Sequence, residues 1–208
     1  MGTRNLTIVQ SDGKYKVGQY CQWDGYPSGQ GITILETLRN MDPVFDIPSF
    51  KQKVDGLKQL TSEEVQAYWA QCGADDSGWV GMDVSEKFKE KYAHLHRDFG
   101  GRIIEAIATG KVTEVFADVA FAGDSLFCEW AYVIDLDKNT FEVYKGFNEC
   151  PLKKGERFKF LTRRKTKKDP NPYKPVRLLA SWPLDALPTD EEFYAIEKSE
   201  EYDEVATA

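Results

Sequence analysis

Residues 32–110 read as mostly helical, in segments broken at Pro43, Pro48, Gly73 and Gly100-Gly101, while the segments on either side read as strands. Helices with one apolar stripe need a surface on which to bury it, and strands at the two ends of a chain can supply that surface only by joining one sheet. The expected fold class is therefore α+β, with an antiparallel sheet built from N- and C-terminal strands and the central helical segment packed on it.

Residues 5–10 and 15–23 are rich in β-branched and aromatic side chains and flank Asp12-Gly13, a strong hairpin signal. A glycine-rich loop, Gln22-Trp23-Asp24-Gly25-Tyr26-Pro27-Ser28-Gly29-Gln30-Gly31, then feeds a helix to about Asn40. Ser49 is placed to cap the next helix, Thr61 with Glu64 forms a capping box for a helix to about Cys72, and Asp83 with Glu86 predicts another to about His96. Residues 102–109 add a short helix. Strands are expected over 112–122, 125–135, 141–144, 157–161 and 176–182, with a last helix capped by Thr189 and Glu192.

A length of 208 residues suits one domain, expected over 1–198, with an acidic flexible tail over 199–208. No run of about 18 apolar residues exists and the first residues lack a secretory apolar core, so no membrane association and a cytoplasmic location are expected. Leu6 stands where an N-terminal acylation motif needs Ser or Thr. The four cysteines, Cys21, Cys72, Cys128 and Cys150, form no C-x-x-C pair, so neither a metal site nor a disulfide framework is signalled, and no cofactor is implied. A formal charge of -7 disfavours nucleic acid as a partner.

Three segments concentrate candidate chemistry. In the glycine-rich loop, Trp23 and Tyr26 offer stacking faces, Ser28 and Gln30 polar ligand contacts, and Asp24 an acid-base group, beside a helix N-terminus able to receive an anion. The alternative is a structural turn whose aromatics simply pack. In Phe127-Cys128-Glu129-Trp130-Ala131-Tyr132, Glu129 sits among apolar residues as a second candidate acid-base group, or as an ion-pair partner of Arg4 or Arg102. Residues 153–168 are strongly basic and read as an exposed loop, with Arg163 and Arg164 as candidate contacts for an anionic ligand or protein partner, or as an ordinary solvated face. Cys21 and Cys128 read as buried, inert thiols. His94 and His96, two apart on one expected helix, point to different faces, and no Ser-His-Asp signature is evident.

Met1-Gly2-Thr3-Arg4-Asn5, the loop from Gln22 to Gly31 and Cys128-Glu129-Trp130-Ala131-Tyr132 together resemble a group of uncharacterised fungal, bacterial and phage proteins. That resemblance implies no activity and transfers no catalytic residue; it implies that the loop and the later strand occur together.

The expected function is binding, extending to hydrolysis or group transfer, of a small anionic or nucleotide-like ligand at the loop. The competing expectation is a non-enzymatic interaction protein, a phage or host factor that inhibits or sequesters a protein partner.

Overall fold

The computed structural model describes residues 2–41, 46–75, 80–162 and 172–197. Strands β1 (Asn5–Ser11) and β2 (Lys14–Cys21) form the first hairpin. Its corner requires positive φ at Asp12 (51°) and Gly13 (67°), which explains the Asp-Gly pair. The Asp137 carboxylate accepts the N–H of Asp12 at 2.7 Å and of Gly13 at 2.9 Å, tying this corner to a later turn.

One wide turn of π-helix, Pro27–Gly31, leads into α1 (Ile32–Arg39). Helix α2 (Ile47–Asp55) is capped by Asp46, whose carboxylate accepts Ser49 N–H at 2.7 Å, so Ser49 lies inside the helix that it was expected to cap. A two-residue strand, β3 (Lys58–Gln59), precedes α3 (Ser62–Gln71), which opens on the expected Thr61/Glu64 capping box. Helices α4 (Met82–Lys91) and α5 (Arg102–Ala108) complete the central block. After β4 (Glu114–Val115) come β5 (Trp130–Asp135), β6 (Thr140–Lys145) and β7 (Arg177–Pro183), then a helix α6 over 190–197.

The fold is α+β, with a five-stranded, mostly antiparallel sheet in the order β2-β1-β5-β6-β7. One pair departs from an all-antiparallel sheet: β1 and β5 run parallel, from Asn5 opposite Trp130 to Gln10 opposite Asp135. A parallel neighbour needs a long crossover, and the helical block provides it.

One sheet face, including Val9, Tyr132, Ile134, Phe141 and Val143, buries against Ile34, Leu35, Phe50, Ile103, Ile107 and Phe193 from the helices. Full burial of each such side chain contributes about 1.5–3 kcal/mol. The opposite face, with Leu6, Ile8, Ala131, Val133 and Tyr144, is covered by Leu152, Phe158 and Val176. Inside that second layer Arg157 meets Asp135 and Glu142, the latter at 2.9 Å from Nε, and also reaches Gln10.

This ion cluster explains one failed expectation. Residues 157–161 are not a strand; Lys159–Leu161 is a short 3-10 turn, because Arg157 is drawn inward instead of lying on an exposed basic loop. Between 112 and 122 only Glu114–Val115 is strand, paired with β3, and Ala117 makes a single bridge to Gly18. Residues 199–208, like Arg163 and Arg164, lie outside the described residues. Among the described residues no helix is long and apolar enough to cross a membrane.

Candidate functional site

Helix α4 stops earlier than its pattern suggests. Tyr92 leaves helical geometry (φ -130°, ψ 48°), Ala93–Leu95 make one 3-10 turn, and His96 is extended (φ -80°, ψ 145°). The chain therefore doubles back, and His96 faces the helix instead of continuing it. Its side chain is only 4% exposed. Nε2 lies 3.1 Å from the Ser85 Oγ on α4. On the other side, Nδ1 is 3.5 Å from Oδ2 of Asp98 and 3.3 Å from the Asp98 backbone N–H.

Nδ1 thus has two partners of opposite demand. If it accepts the Asp98 N–H, Nε2 carries the proton toward Ser85; if it bears the proton, the Asp98 carboxylate faces it and Nε2 is free to accept the Ser85 hydroxyl. Asp98 is itself fixed by Lys89 Nζ at 2.9 Å and Trp23 Nε1 at 3.2 Å. The backbone of this segment is stitched to its surroundings: Gln22 N–H donates to the Arg97 carbonyl at 3.0 Å, and Arg102 Nη2 donates to the Asp98 carbonyl at 2.9 Å.

Burial pushes the His96 pKa below its ordinary 6.5, only partly offset by the Asp98 charge, so the ring is neutral near pH 7. Burial pushes Asp98 the other way, but the Lys89 hydrogen bond and the neighbouring positive charge outweigh it and hold the carboxyl below its ordinary 3.8. The arrangement is an ionised carboxylate, a neutral imidazole and a hydroxyl in sequence.

Ser85 and His96 border a cavity of about 590 Å³. Gly18, Gln19 and Tyr20 of β2 form one wall, Val65 and Trp69 of α3 another, and Met82, Ser85 and Glu86 of α4 a third; Val80, Leu95, His96, Arg97, Phe116, Asp118 and Phe121 complete it. The lining is more apolar than polar; besides the imidazole and the hydroxyl, Gln19, Glu86, Arg97 and Asp118 supply polar groups to it. Gly18 is required here for space: a Cβ would stand 2.7 Å from the Asp118 carbonyl oxygen, so only glycine lets the 116–118 segment close on β2.

No known protein family, curated protein or solved structure matches this chain.

The glycine-rich loop adjoins this site through Trp23, which is 45% exposed yet donates to Asp98. The other loop residues face a separate shallow hollow of about 450 Å³ lined by Asp24, Tyr26, Ser28, Gly29, Gln30 and Thr33. Several of their backbone and side-chain groups already have internal partners. The Asp24 carbonyl accepts Gln30 N–H at 2.7 Å, the Gln30 side-chain oxygen accepts Gly101 N–H at 2.7 Å, and the Ser28 N–H donates to Glu197 of α6 at 3.1 Å. Glu129, just before β5, accepts the Arg4 N–H at 3.2 Å and lines neither hollow. The structure therefore brings Asp24, Tyr26, Ser28 and Gln30 together, turns Trp23 toward Asp98, and leaves Glu129 apart.

Burial pushes the thiols of Cys21 and Cys128 up, away from the thiolate a nucleophile needs. Among the described residues no three His, Cys, Asp or Glu side chains are grouped to hold a metal ion. No Ser-His-Asp signature is evident in the sequence, yet Ser85, His96 and Asp98 converge in the structure. The available sequence signal was local, an Asp two residues beyond a His; the partner serine eleven residues earlier becomes visible only once α4 is known to end at Lys91.

Proposed function

We propose that this protein binds a small molecule with an aromatic or aliphatic body and one polar group in the cavity between β2, α3 and α4. The observation that carries this reading is the pairing of Ser85 and His96 at the wall of a cavity of about 590 Å³ that is more apolar than polar. Ligand sites generally have this form, an apolar enclosure of about 300–1,000 Å³ with a few convergent polar groups. Trp69 supplies a flat wall and is stacked on Phe88 at 3.6 Å between ring centroids, so it is held in place before any ligand arrives.

A thermal-shift screen of small aromatic and short-chain acids, alcohols and esters tests the proposal. A ligand present at about 100 times its Kd adds about 2.7 kcal/mol of stability. Val65→Trp, which fills the cavity from α3, should abolish the shift, whereas Tyr26→Ala should leave it. The reverse pattern would move the ligand to the loop and defeat the cavity reading.

One contact favours a second reading, that the loop takes an anionic or nucleotide-like ligand: the Ser28 N–H already holds a carboxylate, that of Glu197. Under this reading Glu197 is an internal stand-in, and Glu197→Ala should tighten binding of inorganic phosphate or a nucleotide. Unchanged affinity would remove it.

A further inference from the structure

We propose that Ser85 is a nucleophile, His96 its base and Asp98 a positioning residue, and that together they hydrolyse a small carboxylic ester held in the cavity; the proposal rests on the binding reading above. Three geometric facts carry it. Ser85 Oγ and His96 Nε2 are 3.1 Å apart, within reach of direct proton transfer. Asp98 Oδ2 faces the opposite ring nitrogen at 3.5 Å and is held there by Lys89 and Trp23. Both reacting groups border a cavity with room for an ester.

The chemistry follows with atoms balanced. In the tautomer with the proton on Nδ1, Ser85 Oγ attacks the acyl carbonyl carbon while its proton passes to His96 Nε2. The tetrahedral adduct then collapses, the C–O bond to the alcohol breaks, and the alcohol leaves with that proton. A water molecule attacks the acyl-serine, again giving its proton to Nε2, and the carboxylic acid departs as Ser85 recovers its hydrogen. Asp98 stabilises the imidazolium formed in each step.

The cavity also selects the substrate class. Its side chains Val65, Trp69, Leu95, Phe116 and Phe121 favour an apolar acyl or aryl group, and its volume suits a small ester. Lys89 and Glu86 from α4, Arg97 and Asp98 on the histidine's own segment, and Asp118 across the cavity are the charged groups around His96.

The test begins with the unaltered protein, so it does not depend on any variant folding. A fluorophosphonate probe followed by peptide mass spectrometry should place one phosphonyl group on Ser85, and p-nitrophenyl butyrate should be hydrolysed with a rate that rises through a single ionisation below pH 6.5. His96→Gln should slow both labelling and turnover by about 10²–10⁴-fold. Asp98→Asn should lower kcat more than it changes KM and shift the pH profile, which loss of a merely structural contact would not do. Quenching of tryptophan fluorescence by p-nitrophenyl butyrate, with neither turnover nor label on Ser85, would overturn the catalytic proposal and leave the binding site standing. Absence of quenching, turnover and label together would overturn both.

Discussion

Replacing Arg157 by alanine would leave Asp135 and Glu142 facing each other inside the second layer of the sheet, with only the exposed Lys138 ammonium, 3.7 Å from Asp135, as counter-charge. The three side chains are 5%, 0% and 8% exposed respectively, so water cannot take over the role of the guanidinium. Burial alone would disfavour the arginine charge, yet its hydrogen bonds to Glu142 and Asp135 reverse that effect and raise its pKa above the ordinary arginine value. Removing one partner from a buried ion cluster costs about 3–5 kcal/mol, because an uncompensated charge remains. Against a typical total of about 5–15 kcal/mol, that is a large share of the stability. For a chain of this size each kcal/mol moves Tm by about 2–4 °C, so Arg157→Ala should lower it by about 6–20 °C. Urea unfolding followed by tryptophan fluorescence gives the free energy directly. Adding Asp135→Asn to both backgrounds should show a coupling above about 1 kcal/mol. A loss below about 1 kcal/mol, or additive effects of the two substitutions, would refute the reasoning that this layer is pinned by charge.

Under native conditions a thiol reagent should modify Cys150 rapidly and the other three cysteines only on unfolding, since Cys150 is exposed and the rest are buried; fast reaction of a second thiol would contradict the packing. Both histidines have folded-state pKa values below 6.5, so the unfolded chain protonates first: their contribution to stability is complete above about pH 6.5 and is lost as pH falls through that value toward the folded pKa values. Urea midpoints that stay flat from about pH 7.5 to 5 would oppose this. Gly18→Ala should cost about 1–3 kcal/mol, because the new Cβ meets backbone atoms of Asp118 and not a yielding side chain; an unchanged melting temperature would show that the 116–118 segment is not closed on β2.

The parts of this fold that were legible in the sequence are those decided within a few residues. Asp12-Gly13 makes its hairpin because the corner demands positive φ, and Thr61 with Glu64 caps α3 because the two side chains satisfy each other's backbone N–H. Asp83 with Glu86 carries the same spacing, yet the N-cap of α4 is Gly81, two residues before the cap that signal implied. Residues 157–161 had strand-like composition, but Arg157 answers to two carboxylates more than a dozen residues upstream, a demand invisible in any local window. The candidate site divides in the same way. The loop around Asp24 was visible from its density of glycines and aromatics, whereas the Ser85–His96–Asp98 alignment depends on where one helix ends and how the chain reverses after it.

The parallel pairing of β1 with β5 has a consequence for how the molecule comes to be made. The first hairpin can form as soon as Cys21 is available, but the far edge of β1 finds its neighbour only when Trp130–Asp135 arrives, more than a hundred residues later. Until then that edge presents Leu6, Ile8 and Val9, all fully buried in the finished protein, beside unpaired backbone groups. Such distant pairing slows folding and favours association with other strands meanwhile. During synthesis the outer edge of β1 thus stays unprotected for more than a hundred residues, and aggregation in the cell should begin there.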